Sequence, residues 1–380
     1  MEMRSDVINV LGSSHRLVVA DGAGAPFEIL SDLFEYFTGE VFVGWCLGRG
    51  LENIEISAAR PIRSFMGGNG ARHLVTSPHF SYVPVRFSHL PRALATWLRP
   101  YTLLLTAGSQ NGRWSLTTEA GWIPAAIEHA DQIIVVPNET LPRTTALPPF
   151  TLTGAVVTEP STTKPDEFTV DRIDDVSQRI GEIVASLLPD DAAIQYGPGP
   201  IGAATLGALR RPARIRSGIV SDPVLDGVRS GLITGTPCGS YAVGSEAFYD
   251  DIAERGWVDR VEVTHNHASL AADTFVAINT ALEIDLSGQV NVETIRGSVV
   301  AGLGGHADFA FAASSSRKGF SIVALPSRRG NNPTLVEQLD KHVTTQRSDI
   351  DVFVNEHGHV DVRGFSDAEK RRALLQLWEM

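Results

Sequence analysis

The chain is 380 residues long, more than one ordinary domain of roughly 100–200 residues requires and enough for two that each bury a core. Hydrophobic residues at 43% and charged residues at 20% exclude a largely disordered chain. A net charge of −12 removes the broad positive field that nucleic acid or an anionic membrane surface would need, so any anionic ligand must be held locally.

In chain order, the N-terminus reaches no apolar core of signal-peptide length before charges interrupt it. Cys46 and Cys238 lie far apart and form no CxxC or zinc pattern, which argues against a disulfide-built secreted scaffold and points to a cytoplasmic protein. Short apolar runs at 101–105, 132–136, 192–196, 321–325 and 352–354 alternate with helical patterns, the reading for α/β domains with mostly parallel sheets. Pro160, Ser161, Thr162, Thr163 and Pro165 make 158–167 the most linker-like stretch, so the expected domains are 1–160 and 166–380. Ile173, Val176, Ile180, Val184 and Leu187 recur at helical spacing behind Asp171, Asp174 and Asp175, and Pro189 ends the pattern. The uncharged stretch 192–209 holds six glycines and prolines, too many backbone breaks for a membrane span.

Two glycine-rich segments suggest chemistry. In the first, Gly197, Pro198, Gly199, Pro200, Ile201 and Gly202 follow a strand and precede a helix, so glycines would allow close approach and the helix start would offer amides to negative charge. Pro198 and Pro200 lack N–H, and the lysine and hydroxyl of a P-loop are absent, so a plain structural turn is an equal reading. In the second, Gly302, Gly304 and Gly305 precede His306, Ala307, Asp308 and Phe309, an apolar stretch that reads as strand-like; the spacing is not that of a dinucleotide fold. His265, His267, His357 and His359 read as solvated loop histidines rather than metal ligands, since no cysteine cluster or His-Glu-x-x-His joins them; no metal is expected. Glu246 reads as a helix-start acid complementing the dipole, and Asp308 as a cap of the glycine-rich loop.

The residues from Ala277 through Asn279, Glu283 and Asp285 to Val290, the Gly304 to Phe309 stretch, Ala324-Leu325-Pro326-Ser327, Val343-Thr344-Thr345 and Glu356-His357-Gly358 resemble the C-terminal domain of the acetyl-CoA hydrolase/transferase family. Further matches at Gln195 to Ile201, Tyr82-Val83-Pro84-Val85 and Leu141-Pro142-Arg143-Thr144 extend the resemblance over roughly residues 60–365. It implies two related CoA-transferase-like α/β domains with an interdomain active-site cleft, no permanently bound cofactor, and an acyl-CoA thioester as substrate with a small carboxylic acid, or water, as acceptor. It also implies a homo-oligomer.

In such transferases a glutamate in a Gly-Ile-His-Ser-Glu stretch attacks the thioester. The matching residues here are Gly218-Ile219-Val220-Ser221-Asp222, followed by Asp226-Gly227. Losing one methylene pulls the carboxylate back by roughly 1–1.5 Å, and about 1 Å of misplacement can cost on the order of 100-fold in rate. The family's Gln is His306, its Tyr is His357 and its His is Val220, so the pocket differs at several positions together. Asp222 as nucleophile or base and His306 as acid/base are the catalytic candidates. Gly197, Gly199, Ile201, Gly302, Gly304 and Gly305 are candidates for the oxyanion and CoA, with Lys318, beside Arg317, for CoA phosphates. Val220, Asn279, Glu283 and His357 are the expected substrate pocket. Three activities stay open: CoA transfer through an acyl-aspartyl intermediate, hydrolysis of a CoA thioester or a C–C bond, and CoA binding without turnover.

Overall fold

The computed structural model describes residues 4–48, 51, 60–170, 172–253, 255–340 and 342–379. The chain forms two compact units, one of residues 1–168, 240–261 and 299–302, the other of 169–239, 262–298 and 303–380. Composition suggests two consecutive stretches; the contacts instead interleave them, because two later segments return to the first unit.

The first unit is built on an eight-stranded sheet. Its spatial order is Phe80–Tyr82, Ile62–Ser64, Glu40–Val43, Arg16–Val19, Thr102–Gln110, Gln132–Pro137 and Val156–Val157, all parallel, with Arg113–Ser115 pairing antiparallel to Thr102–Gln110. Its central strands are near-continuous apolar runs, as expected where both faces of a parallel sheet are covered. Leu17, Val19, Val41, Val43, Leu104 and Ile134 form the core with Phe27, Leu30 and Leu33.

The second unit has a six-stranded sheet in the order Arg214–Ile215, Ala193–Tyr196, Phe275–Thr280, Phe320–Ala324, Val352–Asn355 and Gly358–Asp361. All pairs are parallel except the last, a hairpin whose outer strand alternates between half-buried and exposed residues. Helix Asp175–Leu187 begins where the aspartates place it, with Asp174 Oδ1 accepting from the Ser177 amide at 2.7 Å. Ile180 and Val184 are fully buried, whereas Ile173 and Val176 are exposed.

The stretch read as strand-like after Gly305 is a helix, His306–Ser314. It packs its alanines and Phe309 on Phe275 and Ala277 of the sheet. Alanine favours helix and allows that close approach. Because this helix leads into the parallel strand Phe320–Ala324, it runs back along the sheet and starts at the strands' carboxyl edge. That edge is where open parallel sheets bind ligands.

Candidate active site

Three helix starts gather at the carboxyl edge of the second sheet. Strand Ala193–Tyr196 ends in the Gly197 turn, which leads into helix Pro200–Gly207 with Gly199 as its N-cap. Gly202 is required there: a Cβ on it would lie 1.8 Å from the Gly197 carbonyl oxygen. Gly197 and Gly199, in contrast, face open space where a side chain would stand. Neither this helix nor His306–Ser314, whose N-cap is Gly305, has a side chain capping its first turn.

The third start is helix Asp222–Arg229, which opens with Asp222 itself, half-buried, behind Ser221. The Ser221 hydroxyl lies 2.7 Å from the Tyr196 hydroxyl, and both residues are buried. This bond fixes the Asp222 helix beside the strand that carries the Gly197 turn. Ser217 Oγ donates to the Tyr196 carbonyl at 3.2 Å, a second tie between the same two segments.

His265 links Asp222's segment to the His306 helix. A Cβ on Gly305 would lie 2.5 Å from His265 Nε2 and 2.7 Å from Phe309 Cε2. A Cβ on Gly218 would lie 3.7 Å from the same imidazole nitrogen and 3.5 Å from the same Phe309 atom. The His265 and Phe309 rings pack at a tilt of 40° with centroids 4.4 Å apart. Far from being a solvated loop histidine, His265 is 4% exposed, and burial pulls its pKa down to about 4. His267 instead pairs with the fully buried Asp308, Nε2 to Oδ1 at 3.1 Å. Asp308 thus holds His267 on the helix. Among the described residues no three His, Cys, Asp or Glu side chains are grouped as a metal ion would need.

His306 opens its helix with Nδ1 2.7 Å from Thr345 Oγ1. The residue is only half-buried, yet its Nε2 is sealed from solvent and has no hydrogen-bond partner among the described residues. Desolvation lowers its pKa to about 4, so at neutral pH it is an uncharged imidazole rather than a group titrating near 6.5. Gln195 Oε1, Asn279 Nδ2 and Ser321 Oγ are buried and likewise unpartnered. Gln195 and Ser321 flank Ala277 in register, and Asn279, two residues along, shares that face. It is the face the His306 helix covers. Gln195, Asn279 and His306 thus place buried polar atoms with no partner among the described residues toward the carboxyl edge, while Ser321 lies nearer the amino end of its strand.

Of the residues singled out from the sequence, Asp222, Gly197, Gly199, Ile201, Gly304, Gly305, His306 and Asn279 come together at this edge. Others do not. Gly302 belongs to the first unit, packed on Phe65 and Met66. Lys318 is exposed beyond the far end of the His306 helix, at the amino end of strand Phe320–Ala324 and so at the opposite edge of the sheet. Val220 is fully buried and Gly239 packs on it, so it supports Asp222 from below. Glu283 accepts from Asn291 Nδ2 at 2.8 Å across a strand pair, a local brace. His357 follows strand Val352–Asn355, three strand spacings or about 14 Å from the Gly197 strand, beside Ser327. Tyr196, His265 and Thr345 are positioning groups to which the sequence alone assigned no role, although Tyr196 lies in the glycine motif and Thr345 in the Val343-Thr344-Thr345 match.

Comparison with solved structures identifies the architecture. RipA from Yersinia pestis aligns with a TM-score of 0.86 at 23% identity over 98% of this chain and 93% of that one. The 4-hydroxybutyrate CoA-transferase from Porphyromonas gingivalis aligns with a TM-score of 0.78 at 23% identity over 98% and 92%. The chain has the CoA-transferase fold. Residues 244–378 match the acetyl-CoA hydrolase/transferase C-terminal domain, as the motif between Ala277 and Val290 leads one to expect. In sequence the chain is 27% identical to 4-hydroxybutyrate coenzyme A transferase of Clostridium kluyveri, over 97% of this chain and 92% of that protein.

Proposed function

We propose that this protein is a CoA-transferase acting on acyl-CoA thioesters, with Asp222 as the nucleophile. The observation that carries the reading is the convergence of Asp222 with two uncapped, glycine-led helix starts, joined through Tyr196–Ser221 on one side and His265 on the other. A carboxylate beside converging amides is what covalent acyl transfer needs.

The Asp222 carboxylate attacks the thioester carbonyl, the amides near Gly199 and Gly305 receive the oxyanion, and the C–S bond breaks with CoA leaving as thiolate. The thiolate then attacks the aspartyl carbonyl of the resulting anhydride, releasing the acyl group as a free carboxylate and leaving CoA on Asp222. A second carboxylate reverses both steps and departs as its own CoA thioester, regenerating Asp222.

A second reading is hydrolysis: His306 is neutral and oriented at Nδ1 by Thr345, and its unpartnered Nε2 is buried, so a water would have to enter beside it to be activated. In its Nδ1–H form that nitrogen could take a proton from an attacking water. The two readings separate on a panel of acyl-CoAs with and without acetate, butyrate and 4-hydroxybutyrate. Transfer gives CoA on the added acid, parallel ping-pong lines, and Asp222 as the one carboxylate labelled by borohydride or hydroxylamine trapping. Hydrolysis releases thiol with no acid added. Turnover with Asp222 unlabelled would overturn the nucleophile assignment, and no turnover with any acyl-CoA would overturn the enzymatic reading.

A further inference from the structure

We infer that His265 is a positioning residue: its buried ring is the spacer that sets the separation between the Asp222 segment and the Gly305 helix start. The inference rests on the proposed nucleophile and oxyanion assignments and goes beyond them by naming what holds the two apart. Gly218 begins the five-residue stretch ending in Asp222, and Gly305 is the N-cap of the His306 helix. Both backbones lie against the same imidazole edge and the same edge of Phe309. Moving either segment inward requires moving that ring.

The ring is itself held on several sides. Thr264 Oγ1 lies 2.9 Å from Nδ1, the Phe309 ring packs against it at a tilt, and the segment is anchored twice more within two residues. Asn266 Oδ1 accepts from the Ser269 amide at 3.0 Å, capping the short helix His267–Ala271, while His267 grips Asp308 in the first turn of the His306 helix. Residues 264–267 therefore clamp the beginning of that helix at two successive levels. A spacer of this kind works by bulk and not by proton transfer, which fits a ring whose burial keeps it uncharged at neutral pH.

The experiment compares the full-length chain with His265→Ala and His265→Gln, reading kcat and KM for an acyl-CoA that wild type turns over together with amide hydrogen exchange. With the spacer removed, His265→Ala should lose on the order of 100-fold in kcat, the effect of roughly 1 Å of misplacement, while KM changes by less than about threefold. Exchange should quicken in both 216–222 and 303–309 and stay unchanged in strand Thr102–Gln110 of the first unit. His265→Gln keeps most of the length and volume and should lose no more than about tenfold, and it decides the matter if the alanine variant does not fold. Quickened exchange in only one segment or in neither, or a loss in His265→Gln of the order expected for alanine, overturns the spacer. Should wild type leave every acyl-CoA untouched, the catalytic reading fails, and the exchange comparison still decides whether His265 joins the two segments.

Discussion

The two units share a parallel-sheet plan, and in each of them burial shifts a different kind of titratable group most strongly. At the carboxyl edge of the first sheet, Asp21 is fully buried and its Oδ2 accepts from the Trp45 amide at 2.8 Å, Trp122 Nε1 at 3.1 Å and the Tyr241 hydroxyl at 3.0 Å. Glu119, also buried, accepts from Thr117 Oγ1 at 3.0 Å, from the Thr118 hydroxyl and from the Gly24 amide at 3.3 Å. Burial raises both carboxyls to about 7 despite these donors. The second unit buries imidazoles, His265 and His306, and burial lowers both to about 4. One physical cause, desolvation of the charged form, thus acts with opposite sign on acids and bases. The lesson is that a raised carboxyl does not by itself mark a catalytic one. Asp21 and Glu119 each accept from several protein donors, whereas His306 Nε2, Gln195 Oε1 and Asn279 Nδ2 in the second unit have no partner among the described residues.

The comparison breaks most visibly at Asp222. Asp222→Asn should lower turnover by about 1,000-fold or more, as loss of a covalent nucleophile does, with little change in Tm; steady-state kinetics beside a thermal melt checks both halves. If Asp21→Ala produced that pattern instead, the assignment of chemistry to the second unit would be wrong. What Asp21→Ala should do is destabilise, because the Trp45 and Trp122 N–H groups lose a buried acceptor, at about 1–3 kcal/mol for each donor left unmet. Denaturant unfolding of the variant measures that loss directly.

A smaller effect tests the opposed signs. A carboxyl whose folded pKa lies above its unfolded value binds an extra proton in the native state between about pH 4 and 7, so its contribution to stability falls as pH rises through that window. A histidine whose folded pKa is depressed binds fewer protons in the native state between about 4 and 6.5, so its contribution grows as pH rises. Plotted as Tm against pH from 4 to 7, Asp21→Asn should make the slope more positive than wild type and His306→Gln more negative. Shifts of the same sign would refute the contrast. The smallest effect is expected for Tyr196→Phe, which removes one hydroxyl bond to Ser221 worth about 0.5–1.5 kcal/mol. If that bond positions Asp222, the loss should appear in kcat, up to about tenfold, with KM for acyl-CoA unchanged; a change confined to Tm would reduce Tyr196 to a structural role.

Much of this architecture can be read from local pattern. The five apolar runs chosen from the sequence are central strands of the two sheets, and Asp174 and Pro189 bracket a real helix, because buried parallel strands and capped helices write their chemistry into neighbouring residues. The helix His306–Ser314 escaped because it is apolar on nearly every side: Ala307, Phe309, Ala310, Ala312 and Ala313 are all buried, and no polar face marks a 3.6-residue period. The burial of His265 was illegible for a different reason, since its neighbours Gly218, Gly305 and Phe309 are tens of residues away in the chain. Lys318 was misplaced because sequence proximity to a glycine loop says nothing about a helix of nine residues, about 13 Å long, intervening between them.

The return of residues 240–261 and 299–302 to the first unit bears on how the chain is made. Domains emerging from a ribosome tend to fold as units from the N-terminus, but here the leading unit lacks pieces when residue 168 appears. Tyr241, whose hydroxyl reaches Asp21, and the segment whose Gly302 packs on Phe65 are synthesised only after much of the second unit has been made. A nascent fragment ending at 168 should therefore stay incompletely structured and dependent on chaperones. The contacts that complete the first unit are available only once residue 302 has been made.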